Sequence, residues 1–151
     1  MEKKDLDWGN IGFSYMPTDK RYVANYKDGA WDGGAMTSDP NVVINECAGI
    51  LQYCQECFEG LKAYTTEDGS IVTFRPDLNA ERMMDSAARL EMPPFPKERF
   101  LEAVDAVVKA NAAWVPPFGS GATLYLRPYM FASGPVIGVK PSDEYQFRLF
   151  A

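Results

Sequence analysis

The residues with chemistry to offer are arginines framed by aromatic side chains. In Tyr125-Leu-Arg-Pro-Tyr129, read as a strand, Tyr125, Arg127 and Tyr129 share one face, while Leu124 and Leu126 share the other. An arginine between two tyrosines can bind or orient a carboxylate; the plainer alternative is a solvent-facing strand surface. Arg82 lies one turn into a helical segment, beside that segment's apolar stripe. Its planar fork can chelate a phosphate through parallel hydrogen bonds, or it is a solvated helix arginine. Tyr53 and Phe58 would make an aromatic wall, and Gly60 would let the backbone be approached closely. Core packing is the alternative for both rings. Lys62 is an amine of the kind that can hold a carbonyl cofactor, although exposed strand lysines are ordinary.

The chain contains no histidine, which removes the histidine-based catalytic triads and the usual zinc sites. Proton transfer would fall to a carboxylate, a lysine, a tyrosine or a cofactor. The three cysteines are Cys47, Cys54 and Cys57. An odd number fits a disulfide scaffold poorly. Cys54-Gln-Glu-Cys57 has the spacing of a redox motif, but two packed thiols beside an aromatic segment are the simpler reading. Zinc would need a second pair, which the sequence lacks.

These residues must be positioned by short, well-punctuated elements. Arg21 to Tyr26 alternates as a strand, Asp28-Gly29 is a hairpin turn, and Ala30-Trp31 begins the return. Leu61 to Thr66 and Ile71 to Phe74 form a second hairpin around Asp68-Gly69, with Phe58-Glu-Gly60 opening it. Pro76 opens a helix to about Leu90. Its first turn is expected to carry Asp77 and Glu81, and Ala80, Met83, Met84 and Ala87 make its apolar stripe. A second helix is predicted from Lys97 to Ala113, with Phe100, Leu101, Val104, Val107 and Val108 on one face, until Pro116-Pro117 stops it. Thr123 to Ala132 and Tyr145 to Phe150 read as strands on either side of a Gly/Pro loop, Ser133 to Pro141. The pattern predicts an α+β fold: a mainly antiparallel sheet with two helices packed on one face.

At 151 residues, 46% hydrophobic and 13% aromatic, the chain has the size and composition of one ordinary domain with a real core. A net charge of −6 without a Lys/Arg run points away from nucleic acid and anionic membrane. No apolar run approaches a membrane span, and the charged Met1-Glu-Lys-Lys-Asp start leads into no signal-peptide core. A cytosolic location is therefore expected. The last residues, Gln146 to Ala151, read as a strand with no turn or polar tail behind it, so residue 151 is expected to be an imposed boundary.

Taken in order, the motifs resemble one family. They are Phe58-Glu-Gly-Leu-Lys-Ala-Tyr64, Phe74-Arg-Pro with Asn79-Ala-Glu-Arg-Met83, Arg89-Leu-Glu-Met-Pro93, Leu124-Tyr-Leu-Arg-Pro128 and Gly138-Val-Lys-Pro141. Together they resemble the branched-chain amino-acid aminotransferases, fold-type IV enzymes that use pyridoxal 5′-phosphate (PLP). The resemblance starts near Leu6-Asp-Trp-Gly and reaches residue 151. It implies that Arg82 binds the cofactor phosphate, and that Tyr53, Phe58 and Gly60 line the substrate pocket. Tyr125 and Arg127 fall on its substrate side. Ile137 and Val139 fall in a loop that closes on a neighbouring subunit's pocket, and Phe13 matches a further wall residue. The substrates implied are leucine, isoleucine and valine, with glutamate and 2-oxoglutarate as the exchange pair, in a homodimer or larger oligomer. The resemblance makes residues 1–151 the N-terminal small domain. The cofactor lysine would lie in a following large domain, since none of Lys3, Lys4, Lys20, Lys27, Lys62, Lys97, Lys109 and Lys140 matches it. This chain alone would then be inert. The readings left open are a D-amino-acid aminotransferase or aminodeoxychorismate lyase of the same fold type, and a non-enzymatic binding domain.

Overall fold

The computed structural model describes residues 2–151. Strand β1 (Arg21–Lys27) turns through Asp28 and Gly29, both at positive φ (53° and 83°), into β2 (Ala30–Trp31). Two left-handed residues in succession are what a tight hairpin of this twist requires. A third strand, β3 (Ala35–Thr37), returns along β1 and was not expected from the sequence. Three-residue strands carry too little alternation to be seen. A short helix α1 (Gly49–Tyr53) follows, then β4 (Glu56–Phe58), β5 (Leu61–Thr65) and β6 (Ile71–Thr73). Helices α2 (Pro76–Arg89) and α3 (Lys97–Ala110) precede β7 (Leu124–Ala132) and β8 (Tyr145–Phe150).

All strand pairs are antiparallel, in the order β2-β1-β8-β7-β5-β6, with β3 on β1 and β4 on β7. The expected α+β architecture is present, with α1 as a third helix. β8 sits centrally, and its alternation decides the layering. Tyr145, Phe147 and Leu149 are fully buried, and Phe147 stacks on Phe95 at 3.8 Å and meets Phe100 of α3. Phe100, Val104 and Val107 of α3 and Ala80, Met83 and Ala87 of α2 complete this core. Burying side chains of this size supplies ~1.5–3 kcal/mol each, which is why two amphipathic helices stay docked on the sheet.

The structure corrects three expectations. Glu81 lies beyond the first turn of α2, where Asp77 is the acidic residue; it pairs instead with Lys97 at the start of α3. Helix α3 ends at Ala110, not Ala113. The buried Asn111 side chain donates to the carbonyls of Val107 and Lys20, closing the helix before a single 3-10 turn, Ala112–Trp114. Phe58 does not open the second hairpin. It ends β4, which pairs with β7 in the same register as β5: Phe58 faces Tyr129 and Leu61 faces Leu126, so Glu59 lies opposite Pro128. The Glu59 N–H donates to the Pro128 carbonyl at 2.8 Å, but proline has no N–H to return. One missing donor thus breaks the ladder at Glu59-Gly60.

Candidate functional site

The β4–β5 strand separates two sets of polar side chains. Cys57, Glu59, Leu61 and Ala63 are buried in alternation, while Phe58, Gly60, Lys62 and Tyr64 face outward. A carboxylate at an inward position needs a partner, and α2 supplies it. Arg82 grips Glu59 with both ends of its fork, Nε to Oε1 and Nη2 to Oε2, each at 2.6 Å. Asn79, one turn earlier, donates to Glu59 Oε2 at 2.9 Å and to the Gly60 carbonyl at 3.3 Å. Burial pushes the Glu59 carboxyl up, but the hydrogen bonds from Arg82 and Asn79 and the arginine's charge outweigh it and hold the group below its ordinary value. The pair is lopsided: the Glu59 side chain is 4% exposed and that of Arg82 66%. Arg82 therefore presents its other edge to solvent. Its Nη1 has no protein acceptor among the described residues, a geometry that fits a phosphate on the outer edge while Glu59 fixes the inner one.

Glu59 and Asn79 were not singled out from the sequence. The signal for Glu59 was the period-two burial of Cys57-x-Glu-x-Leu-x-Ala63, which puts a carboxylate where an apolar residue belongs. Asn79 carried none.

On the other face Tyr125 and Arg127 sit beside Phe58. Gly60 falls opposite Arg127 by register. The Arg127 guanidinium lies 4.3 Å from the Phe58 ring centre, and its Nε donates to the Tyr125 hydroxyl at 3.1 Å. Phe13 closes edge-on against Tyr125 at 5.3 Å. The Tyr125 hydroxyl leans into the space that a side chain on residue 60 would fill; a Cβ there would also lie 3.0 Å from the ring. The backbone approach expected at Gly60 is thus made by Tyr125. Beside this cluster lies a cavity of about 290 Å³ bounded by Trp8, Phe13, Trp114, Leu124, Tyr125 and Arg127.

Tyr53 takes no part in these ring contacts. Its hydroxyl donates to the Ile137 carbonyl at 2.9 Å, tying the end of α1 to the loop after β7, while the side chains of Ile137 and Val139 stand out in solvent. Lys62 is an exposed strand residue across from Tyr125. The three thiols are free; Cys54 caps α1 in the left-handed region, and burial pushes the Cys57 thiol up to about 11, far from a reactive thiolate.

Known proteins share this arrangement of sequence. The branched-chain-amino-acid aminotransferase of Haemophilus influenzae is 55% identical over 147 residues, which cover 97% of this chain and 43% of that protein. The chain is homologous to the branched-chain aminotransferases. It spans less than half the length of this relative. Two solved structures carry the fold. The Escherichia coli branched-chain amino acid aminotransferase matches 88% of this chain and 39% of its own, with a TM-score of 0.68 at 21% identity. The T.th. branched-chain amino acid aminotransferase, complexed with N-(5′-phosphopyridoxyl)-L-glutamate, matches 84% of this chain and 40% of its own, with a TM-score of 0.60 at 24% identity. No family model matches the chain.

Proposed function

We propose that this chain is the N-terminal, substrate-facing part of a PLP-dependent enzyme that moves the amino group of leucine, isoleucine or valine to 2-oxoglutarate. The observation that carries the reading is the homology to branched-chain aminotransferases over 97% of the chain. The geometry supports it residue by residue. Such a site must accept a branched aliphatic chain and, in turn, a second carboxylate. Phe58 and Phe13 offer apolar surface for the first, worth ~1.5–3 kcal/mol when buried and enough to disfavour small polar amino acids. Arg127 suits the second: Phe58 and Tyr125 hold the guanidinium, so little is lost in ordering it.

PLP, when bound, supplies the electron sink for the chemistry, and the protein supplies binding and orientation. Arg82 would hold its phosphate, kept in place by Glu59 and Asn79. The lysine that carries the cofactor is proposed to lie outside residues 1–151. Tyr53 and the Ile137–Val139 loop form an exposed, tethered surface that suits contact with a second subunit. Assaying the full-length enzyme with PLP should show transfer from leucine, isoleucine and valine to 2-oxoglutarate. Activity confined to D-alanine would point to the D-amino-acid reading of the same fold type and overturn this one.

A further inference from the structure

The face of the sheet opposite the helices carries two more arginines, and neither belongs to the clusters above. Arg21 begins β1, and Arg148 lies in β8 between Val23 and Tyr129 by register. They are 5% and 8% exposed, as buried as core residues. Buried cations are ordinarily paired with carboxylates. Among the described residues neither forms an ion pair. Arg21 donates to the carbonyls of Ser38 and Thr18. Arg148 donates to the Asn41 carbonyl at 3.1 Å and to Gln146 Oε1 at 3.3 Å. Every acceptor is neutral. Asp39 is the carboxylate that feels both charges: hydrogen bonds from Asn41 mainly, and the two arginines in addition, hold it below its ordinary value. Glu56 is a second carboxylate whose charge reaches Tyr129 beside the two arginines, but neither it nor Asp39 lies within ion-pair distance of either guanidinium.

Both arginines line one cavity of about 170 Å³, walled by Tyr15, Pro40, Tyr129 and Phe150. We propose that this cavity binds a small monocarboxylate, its carboxyl group on Arg21 and Arg148 and its short alkyl part against the tyrosine and phenylalanine rings. Two guanidinium groups with no contacting carboxylate suit an anion, and the aromatic and proline walls suit one with an alkyl part. A planar guanidinium is built to receive a carboxylate through two parallel hydrogen bonds. The volume admits a few carbons and is larger than a halide needs. The pocket is separate from Arg127, although Tyr129 lies two residues from Arg127 on the same strand face, so an occupant would bear on the substrate side of the sheet.

The full-length protein tests this with sodium propionate as probe, titrated calorimetrically at constant ionic strength, and with the melting temperature followed at each concentration. Saturable binding is expected, with a melting temperature that rises with propionate. Arg148→Met should weaken binding about tenfold or more and abolish the rise, even if it lowers the starting melting temperature by loosening the Ser38–Asn41 segment. Arg127→Met, which removes the carboxylate site proposed above, should leave the Arg148-dependent component of binding and its melting-temperature rise in place. The idea fails if the wild type shows no saturable binding, whether the cavity stays empty or an acidic side chain from elsewhere fills it. It fails equally if Arg148→Met binds like the wild type, or if Arg127→Met alone abolishes binding.

Discussion

Arg82 and Glu59 show why the obvious substitution at the arginine proposed to bind phosphate is ambiguous. Removing Arg82 would take away the proposed donor to the cofactor, but it also strands a carboxylate that is 4% exposed. The partners are not equivalent, because water can replace Glu59 around the open guanidinium far more easily than it can replace Arg82 around the buried carboxylate. Arg82→Ala should therefore destabilise the fold by about 1–2 kcal/mol, the low end for a buried group losing a charged partner because solvent already reaches the arginine. Glu59→Gln should cost less, and the double variant should fall short of the sum. Denaturant unfolding of the four proteins gives the coupling directly. The pH dependence has a definite sign. The folded Glu59 carboxyl lies below its unfolded value, so its contribution is present above the ordinary carboxylate value and is lost as pH falls through the depressed folded one. In Arg82→Ala burial loses its main opponent, so the folded carboxyl moves up toward or above its unfolded value and this group's acid-side loss of stability should shrink or reverse. An acid limb that does not move would mean that the bidentate pair contributes nothing to folding.

At the scale of elements, what could be read from the sequence was what repeats or turns sharply. Asp28-Gly29 and Asp68-Gly69 announce hairpins, and α2 and α3 each present two full turns of apolar spacing. The Glu59-Gly60 break could not be read, because its cause is Pro128, 69 positions away in sequence and adjacent only once β7 is paired. The candidate cluster was legible in Phe58, Tyr125 and Arg127 but not in Tyr53, which lies apart from it, and it was illegible where tertiary pairing does the work: Phe58 was visible as an aromatic residue, but not as the platform on which Arg127 rests. Helix α1 has five residues, too few for periodicity, and its end explains the cysteine that looked like redox chemistry. Cys54 sits at φ 53°, ψ 34° and its N–H bonds to the Ile50 carbonyl. Left-handed backbone costs a residue with a Cβ roughly 1–2 kcal/mol, part of which glycine gives back as unfolded-chain entropy. Cys54→Gly should thus stabilise the protein by roughly 0.5–1 kcal/mol, measured by chemical denaturation under reducing conditions. A destabilised variant would show that the thiol, and not the backbone, is what the position needs.

For the molecule as a whole, the core and the exposed surface set different expectations. The sheet and its two long helices enclose a continuous core, so residues 1–151 should fold. Yet Phe13, Phe74, Phe118, Ile137 and Val139 are each well over half exposed, apolar area that favours association with another surface. The polypeptide alone should therefore self-associate as its concentration rises, visible as a growing sedimentation coefficient, without gaining aminotransferase activity. Activity is not expected because the lysine proposed to carry the cofactor lies outside residues 1–151. Lys62 is across from Tyr125 and exposed on its strand. Lys27, Lys97 and Lys109 are each held by a carboxylate, Glu144, Glu81 and Asp105 respectively. Mixing the purified chain with PLP, reducing with borohydride and mapping the lysines by mass spectrometry should give scattered, substoichiometric labelling. One lysine modified stoichiometrically, Lys62 above all, would mean that this domain carries its own catalytic amine, and the proposed division of labour between it and a following domain would fall.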